Sequence, residues 1–339
     1  MKCFRGILVR LLPAMLCVLF AFWFPACSGI SGSAGPGSTL ERVDPEFGGE
    51  YLLYVPTGYN KAKSWPLVVV CPSSFPYSAN QMLGDWASRA ETHGFLIVVP
   101  AVRGVGGVFS PKSEKQVGLQ RDDETRILAA VQHVRAGYTV SEDRIFIVGR
   151  SGGAYSALAV GLRHSNRFRA IGLLDPKFDA AFLADTRNRI DSDQPVYLQY
   201  DVDDALVGDQ GRQCAEWLRM QGAAVREYNF GSVSKEGPDN TLRFFQDVVR
   251  KLPWIHIEAF AESPDRPLET RFRLRGSATP ARIQWDFGNG QFDVTANPTR
   301  VFAKSGTYRV TVEVEYAGSK PARRTQEFSI PAASLPNQP

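Results

Sequence analysis

The clearest chemistry-bearing pattern in the chain is Ile145-Phe146-Ile147-Val148-Gly149-Arg150-Ser151-Gly152-Gly153-Ala154-Tyr155, an apolar strand, a Gly-x-Ser-x-Gly turn and a small-residue helix expected to begin around Ala154. So sharp a turn needs glycines because it holds the serine in a strained backbone geometry that pushes its hydroxyl out at a sheet edge. That is where a nucleophile for acyl transfer would stand. The N–H of Gly152, at the helix start, would be one donor to a developing oxyanion. The same residues also fit a glycine-rich strand-to-helix turn that carries an incidental serine.

The elements around it alternate. Short β-rich apolar runs, Tyr51 to Val55, Leu67 to Cys71, Phe95 to Val99, Ile145 to Val148 and Val196 to Tyr200, are separated by helical patterns. This argues for a mostly parallel sheet with helices on both faces. Leu67-Val68-Val69-Val70 reads as a central strand, apolar on both sides. Asp122 to Arg135 places Ile127, Leu128, Val131 and Val134 at helical spacing, with acidic residues in its first turn, and leads into the Ser151 strand.

From about Gly49 to Val249 the chain resembles the α/β-hydrolase esterases that include polyhydroxybutyrate depolymerases and feruloyl esterases. YLLYVPTGY, WPLVVV, HGFLIVVP, SEDRIFIVGRSGG and RHSNRF carry the resemblance. It implies an α/β-hydrolase fold and a Ser, Asp, His triad in that chain order. The family's Asp loop resembles Val196 to Val207, which puts the orienting acid at Asp204, with Asp203 the near alternative. The carboxylate would hold a histidine and stabilise its protonated form. Two solvated loop aspartates are the plainer reading.

Two departures from the family pattern stand out. The histidine is expected in the loop Gly231 to Pro238, after a strand over Val225 to Phe230, yet that loop holds none; by register its place falls at Ser234, next to Lys235. The chain's four histidines, His93, His133, His164 and His256, all read as structural, and His256 alone has the right chain order. Where the esterases carry His-Gly before the oxyanion loop, this chain reads Cys71-Pro72-Ser73-Ser74. Pro72 has no N–H to donate, which leaves Ser73 or Ser74 as the second backbone donor. Lys235 would replace the missing base only if burial lowered its pKa by several units.

Beyond Arg250-Lys251-Leu252-Pro253-Trp254 the pattern changes to period-two alternation, clearest in Thr307 to Val314. Ile283 to Gly290, Asn297 to Phe302 and Ser305 to Val312 closely resemble the signature of a PKD domain, with Asn289 where the family usually has Asp. This implies an all-β, immunoglobulin-like sandwich, a spacer or a weak binder of carbohydrate or protein. Gly288 and Gly290 would supply a tight turn, and Trp285 and Tyr308 would fill the core.

The N-terminus pairs a basic stretch, MKCFRGILVR, with an apolar run from Leu11 to Ala26 that is short for a bilayer span. It reads as a secretion signal, and Phe24-Pro25-Ala26-Cys27 resembles a lipobox, in which the leader is cut before Cys27 and that cysteine is lipidated. Cleavage near Ala26 without a lipid is the alternative. The expected organisation is a leader over 1–27, a flexible Gly/Ser tether over 28–45, an α/β-hydrolase domain over 46–252 and a β-sandwich over 255–332. The tail, AASLPNQP, reads as disordered. The net charge of +4 falls to about +1 once Lys2, Arg5 and Arg10 leave with the leader, so nothing points to nucleic acid. Cys71 and Cys214 read as free core thiols, and no metal or other cofactor is expected.

Two functions follow as expectations. One is a surface-tethered serine hydrolase of the carboxylesterase type acting on a small or polymeric ester, with Ser151 as nucleophile, Asp204 as orienting acid, and Gly152 and Ser73 as oxyanion donors. The other is a hydrolase scaffold without its base that serves as an envelope binding or structural protein. Specificity would lie in loops such as Arg103 to Gly118.

Overall fold

The computed structural model describes residues 35, 37–73, 77–103, 114–230, 236–318 and 321–332. The leader, Cys27, Ser74, Ser234, Lys235 and the tail 333–339 lie outside these.

Eight strands form one sheet: β1 (Ser38–Val43), β2 (Glu50–Val55), β3 (Trp65–Cys71), β4 (Leu96–Pro100), β5 (Val140–Arg150), β6 (Ala170–Leu174), β7 (Pro195–Asp201) and β8 (Ala224–Phe230). Their order is β1-β2-β4-β3-β5-β6-β7-β8. Only the β1–β2 and β2–β4 pairs are antiparallel; every other pair runs parallel. The parallel strands β3, β4, β6 and β7 and the second half of β5 are buried on both faces, which is why they read as unbroken apolar runs. Helices α1 (Ala79–His93) and α5 (Gly237–Lys251) cover one face through Met82, Trp86, Leu242 and Phe245. The other face packs against α2 (Glu114–Gly137), α3 (Gly152–Arg163) and α4 (Ala205–Met220), through Ile127, Val131, Ala157 and Trp217.

Two expectations need correction. The tether does not reach residue 45, because Ser38–Val43 pairs with β2 as an edge strand in continuous register from Ser38↔Val55 to Val43↔Glu50. Helix α2 starts eight residues before Asp122, so Asp122 is not in its first turn, and residues 114–118 of the supposed specificity loop are helical. The remainder of that loop, residues 104–113, lies outside the described residues.

After α5 come two antiparallel sheets. One has the order β13-β10-β9, from β9 (Ile255–Ser263), β10 (Arg266–Gly276) and β13 (Thr299–Val301). The other has the order β12-β11-β14-β15, from β11 (Arg282–Asp286), β12 (Phe292–Asp293), β14 (Gly306–Glu315) and β15 (Ala322–Ile330). Trp285, Phe272, Phe287 and Phe302 fill the space between them, with Tyr308 half-buried against Phe302. Gly288 and Gly290 adopt the positive φ their turn requires, 68° and 83°.

The described residues from Gly35 onward form one compact unit. Arg324 on β15 grips Asp191 with both terminal nitrogens, at 2.6 Å each, and also reaches Asp193 at 2.8 Å. The buried Arg169 guanidinium donates to the carbonyl of Leu252 at 2.6 Å, tying the end of α5 to the start of β6.

Candidate active site

Strand β5 ends at Arg150, and Ser151 turns the chain into α3 with φ 55°. Only one other described non-glycine residue, Asp175 at φ 46°, has a positive φ. Such a conformation costs about 1–3 kcal/mol and persists only where its surroundings impose it. Here they do: the Ser151 N–H donates to the Leu174 carbonyl at 2.9 Å, and its own carbonyl accepts from the Lys177 N–H at 3.1 Å.

The flanking glycines are required by close approach. A Cβ on Gly149 would stand 2.2 Å from the Gly153 carbonyl oxygen, and one on Gly153 would stand 2.2 Å from the Cys71 oxygen and 2.5 Å from the Pro72 oxygen. The glycines therefore let the turn fold back against itself and against the end of β3, and that contact fixes Ser151 at the sheet's C-terminal edge.

Ser151 opens onto a cleft of about 240 Å³ lined by Tyr77, Arg150, Asp175, Lys177, Asp204 and Leu206, among others. Asp204 and Ser151 thus share one cleft. The Asp204 carboxylate caps α4, accepting from the N–H groups of Leu206 at 3.0 Å and Val207 at 2.9 Å. Asp203 instead donates its N–H to Asp201 Oδ1 at 2.9 Å. Arg150 lies 4.5 Å over the Tyr77 ring and pairs with Asp175 at 3.0 Å. Burial pushes the Asp175 carboxyl above the usual range, and the Arg150 guanidinium opposes that shift.

Residues 86–200 match the prolyl oligopeptidase family and residues 256–330 match the PKD domain. The chain has an α/β-hydrolase fold followed by a C-terminal β-sandwich that matches a PKD domain. Among curated proteins no sequence matches it. Similar solved structures include a chain described as a dipeptidyl aminopeptidase IV from Bacteroides ovatus (13% identity, 62% of this chain and 35% of that one, TM-score 0.46) and a thermostable esterase (21%, 63% and 61%, 0.44). A third is a CE1 ferulic acid esterase from Anaeromyces mucronatus in complex with ferulic acid (15%, 64% and 90%, 0.47). The chain spans about a third of the first structure and under two thirds of the second.

In this chain the second oxyanion donor expected from Ser73 is not available: the Ser73 N–H donates to the Tyr77 carbonyl at 2.8 Å. Gly152 stands at the first position of α3, where helix geometry leaves its N–H without an intrahelical acceptor. Cys71 and Cys214 are buried free thiols, and burial pushes both thiol pKa values up.

All four histidines lie among the described residues, and none lines the Ser151 cleft. His93 ends α1, where its Nδ1 sits 3.4 Å from the Gln246 amide. His133 Nδ1 is 2.9 Å from the Tyr51 hydroxyl. His164 pairs with Glu124 at 2.6 Å. His256, the one histidine with the right chain order, is buried on β9 against Trp254, beside the starts of β7 and β8 and so at the opposite edge of the sheet. No residue pattern marks Arg150, Asp175 and Lys177 as cleft residues; the one available signal is that Arg150 is the variable residue of the Gly-x-Ser-x-Gly turn.

His256 carries a prediction. Burial, helped by Arg324 and Arg275 and opposed by Asp191, lowers its pKa to about 4. The unfolded imidazole takes up its proton near pH 6.5, so its contribution is complete above that pH and is lost as pH falls toward 4, by roughly 3 kcal/mol at most. Asp191, whose own pKa is lowered, loses its contribution only below the usual carboxylate range. Asp175, raised, acts in the opposite sense. Urea midpoints measured from pH 7.5 to 4.5 should therefore fall for the parent and fall less for His256→Asn; parallel curves would show that His256 is not held neutral.

Proposed function

We propose that this protein is a serine-hydrolase scaffold that has lost its imidazole base and now works by binding, holding an ester-like ligand in the Ser151 cleft without turning it over. The observation that carries this is the position of the histidines, all four outside the cleft. A serine hydroxyl without a base stays protonated near neutral pH. The engaged Ser73 N–H weakens the oxyanion site further. The test is labelling with a fluorophosphonate serine probe: the parent is expected to remain at the level of Ser151→Ala, and Ser234→His to gain labelling.

A second reading, an active carboxylesterase, is favoured by one observation. Lys177 lines the same cleft, and its backbone N–H holds the Ser151 carbonyl. A lysine desolvated enough to be neutral can act as a general base. Labelling of the parent that vanishes in both Ser151→Ala and Lys177→Met would establish it.

The setting proposed for either reading is the cell envelope, with the chain exported and anchored by a lipid on Cys27. The basic start, the apolar run from Leu11 to Ala26 and the Cys27 context support this. The PKD domain then acts as a spacer or a weak contact to carbohydrate or protein. Expressed in a bacterial host, the parent should sediment with membranes and Cys27→Ser should appear in the soluble extracytoplasmic fraction; a Cys27→Ser protein that stays with the membranes overturns the lipid anchor.

A further inference from the structure

The Ser151 cleft sets three carboxylates, Asp175, Asp201 and Asp204, against two cations, Arg150 and Lys177. Arg150 and Asp175 neutralise each other at 3.0 Å, with their side chains 15% and 13% exposed, and the guanidinium also lies over the Tyr77 ring. Asp201 and Asp204 are then balanced by Lys177 alone, so the cleft keeps a net negative charge.

Asp204 presents that charge to solvent. Its residue is exposed, immediately before the first turn of α4. Oδ1 accepts the N–H groups of Leu206 and Val207, at 3.0 and 2.9 Å, and Oδ2 has no hydrogen bond or ion pair among the described residues. In a complete triad this carboxylate would stabilise an imidazolium. All four histidines stand elsewhere, so the cation it would have faced is missing from the cleft.

The neighbours of Asp204 decide what kind of cation fits. Leu206 is 62% exposed on the same lip of the cleft, and Val207 and the Tyr77 ring line it as well. Apolar surface beside a carboxylate favours a cation that brings its own methyl groups over a compact, strongly hydrated one. A metal ion fits less well, since no group of three His, Cys, Asp or Glu side chains is gathered to hold one among the described residues. An anionic ligand would meet Lys177 but would also face two carboxylates.

We infer that the ligand of this cleft is a small cationic ester, with its acyl end at Ser151 and an alkylated ammonium group at Asp204 Oδ2. This rests on the reading of the cleft as a binding site for an ester-like ligand and names the charge of that ligand. The cleft volume of about 240 Å³ suits a ligand of that size.

The test is calorimetric titration of the full-length parent and of Ser151→Ala with three small esters: acetylcholine, its uncharged carbon isostere neohexyl acetate, and monomethyl succinate, which carries a carboxylate. Acetylcholine should bind at least about threefold tighter than neohexyl acetate, the scale of one partly solvated ion pair. Added salt should shrink that difference, and Asp204→Asn should abolish it. Asparagine caps a helix as well as aspartate does, so α4 keeps its start, and Asp204→Ser, another strong cap, repeats the measurement should the first variant not fold. Equal affinity for acetylcholine and neohexyl acetate overturns the inference and leaves the binding reading standing. Tighter binding of monomethyl succinate overturns it in favour of an anion held by Lys177, and a preference for acetylcholine that survives in Asp204→Asn overturns the role of Asp204. Binding of none of the three removes the binding reading itself, and this inference with it. Turnover of an ester by the parent would instead overturn only the loss of activity, because Ser151→Ala still reads the charge preference.

Discussion

Replacing Gly153 with alanine is expected to remove most of the folded population. The added Cβ would stand 2.2 Å from the Cys71 carbonyl oxygen and 2.5 Å from that of Pro72. Both are backbone atoms, so no side-chain rotation relieves the clash. One belongs to the end of β3, a central strand paired on both sides. Relief requires moving either that strand or the first turn of α3, and α3 is buried from Gly152 to Leu162. Overlap this severe belongs with the rare substitutions that cost more than about 4 kcal/mol, a large share of the roughly 5–15 kcal/mol that holds a domain folded. Gly84, in α1, is the matched control, because a Cβ there meets nothing within 4 Å. Gly84→Ala should gain up to about 1 kcal/mol from helix propensity alone. Urea unfolding followed by circular dichroism decides the matter, and a Gly153→Ala midpoint within about 1 kcal/mol of the parent would show that the elbow is not packed as described.

The same contact explains which parts of the site could be read in the sequence. Gly149, Ser151 and Gly153 were legible because the close approach admits only glycine at two fixed positions, so the backbone constraint is written in residue type. Asp204 was legible only in part: its place before an apolar pair shows equally in a helix cap, and the structure uses the carboxylate as one while also exposing it to the cleft. Asp175 left no comparable trace, because its place is set by a bond from its N–H to the Gln199 carbonyl of β7 and by its carboxylate's pair with Arg150 at the end of β5, neither of which a local pattern shows. The Ser73 N–H was lost to a carbonyl four residues ahead, at Tyr77, a bond that no local pattern specifies. Strand β1 was missed for a related reason: STLERV has only Leu40 and Val43 as apolar residues, and an edge strand half in water needs no more. The grip of Arg324 on Asp191 joins residues 133 positions apart, and neither residue is unusual in its own segment.

Restoring an imidazole at Ser234 is expected to raise the rate of fluorophosphonate labelling by at least about 10², since removing one triad member from an intact enzyme costs on the order of 10⁴ to 10⁶ and a grafted histidine recovers only part of that. Strand β8 runs parallel to β7 with Asp201 paired to Phe230, so both strands end at the same edge of the sheet, where Asp203 and Asp204 follow β7. Asp204 already accepts two backbone N–H groups through Oδ1, but a carboxylate has room for about four donors, and an imidazole N–H can be added without surrendering the cap. The gain should therefore shrink when Asp204→Asn is combined with Ser234→His, since the amide no longer stabilises the imidazolium, and it should vanish with Ser151→Ala. A parent that labels as fast as Ser234→His would mean that the cleft already holds a base. Lys177 would be the first group to replace, because no histidine among the four reaches that edge of the sheet.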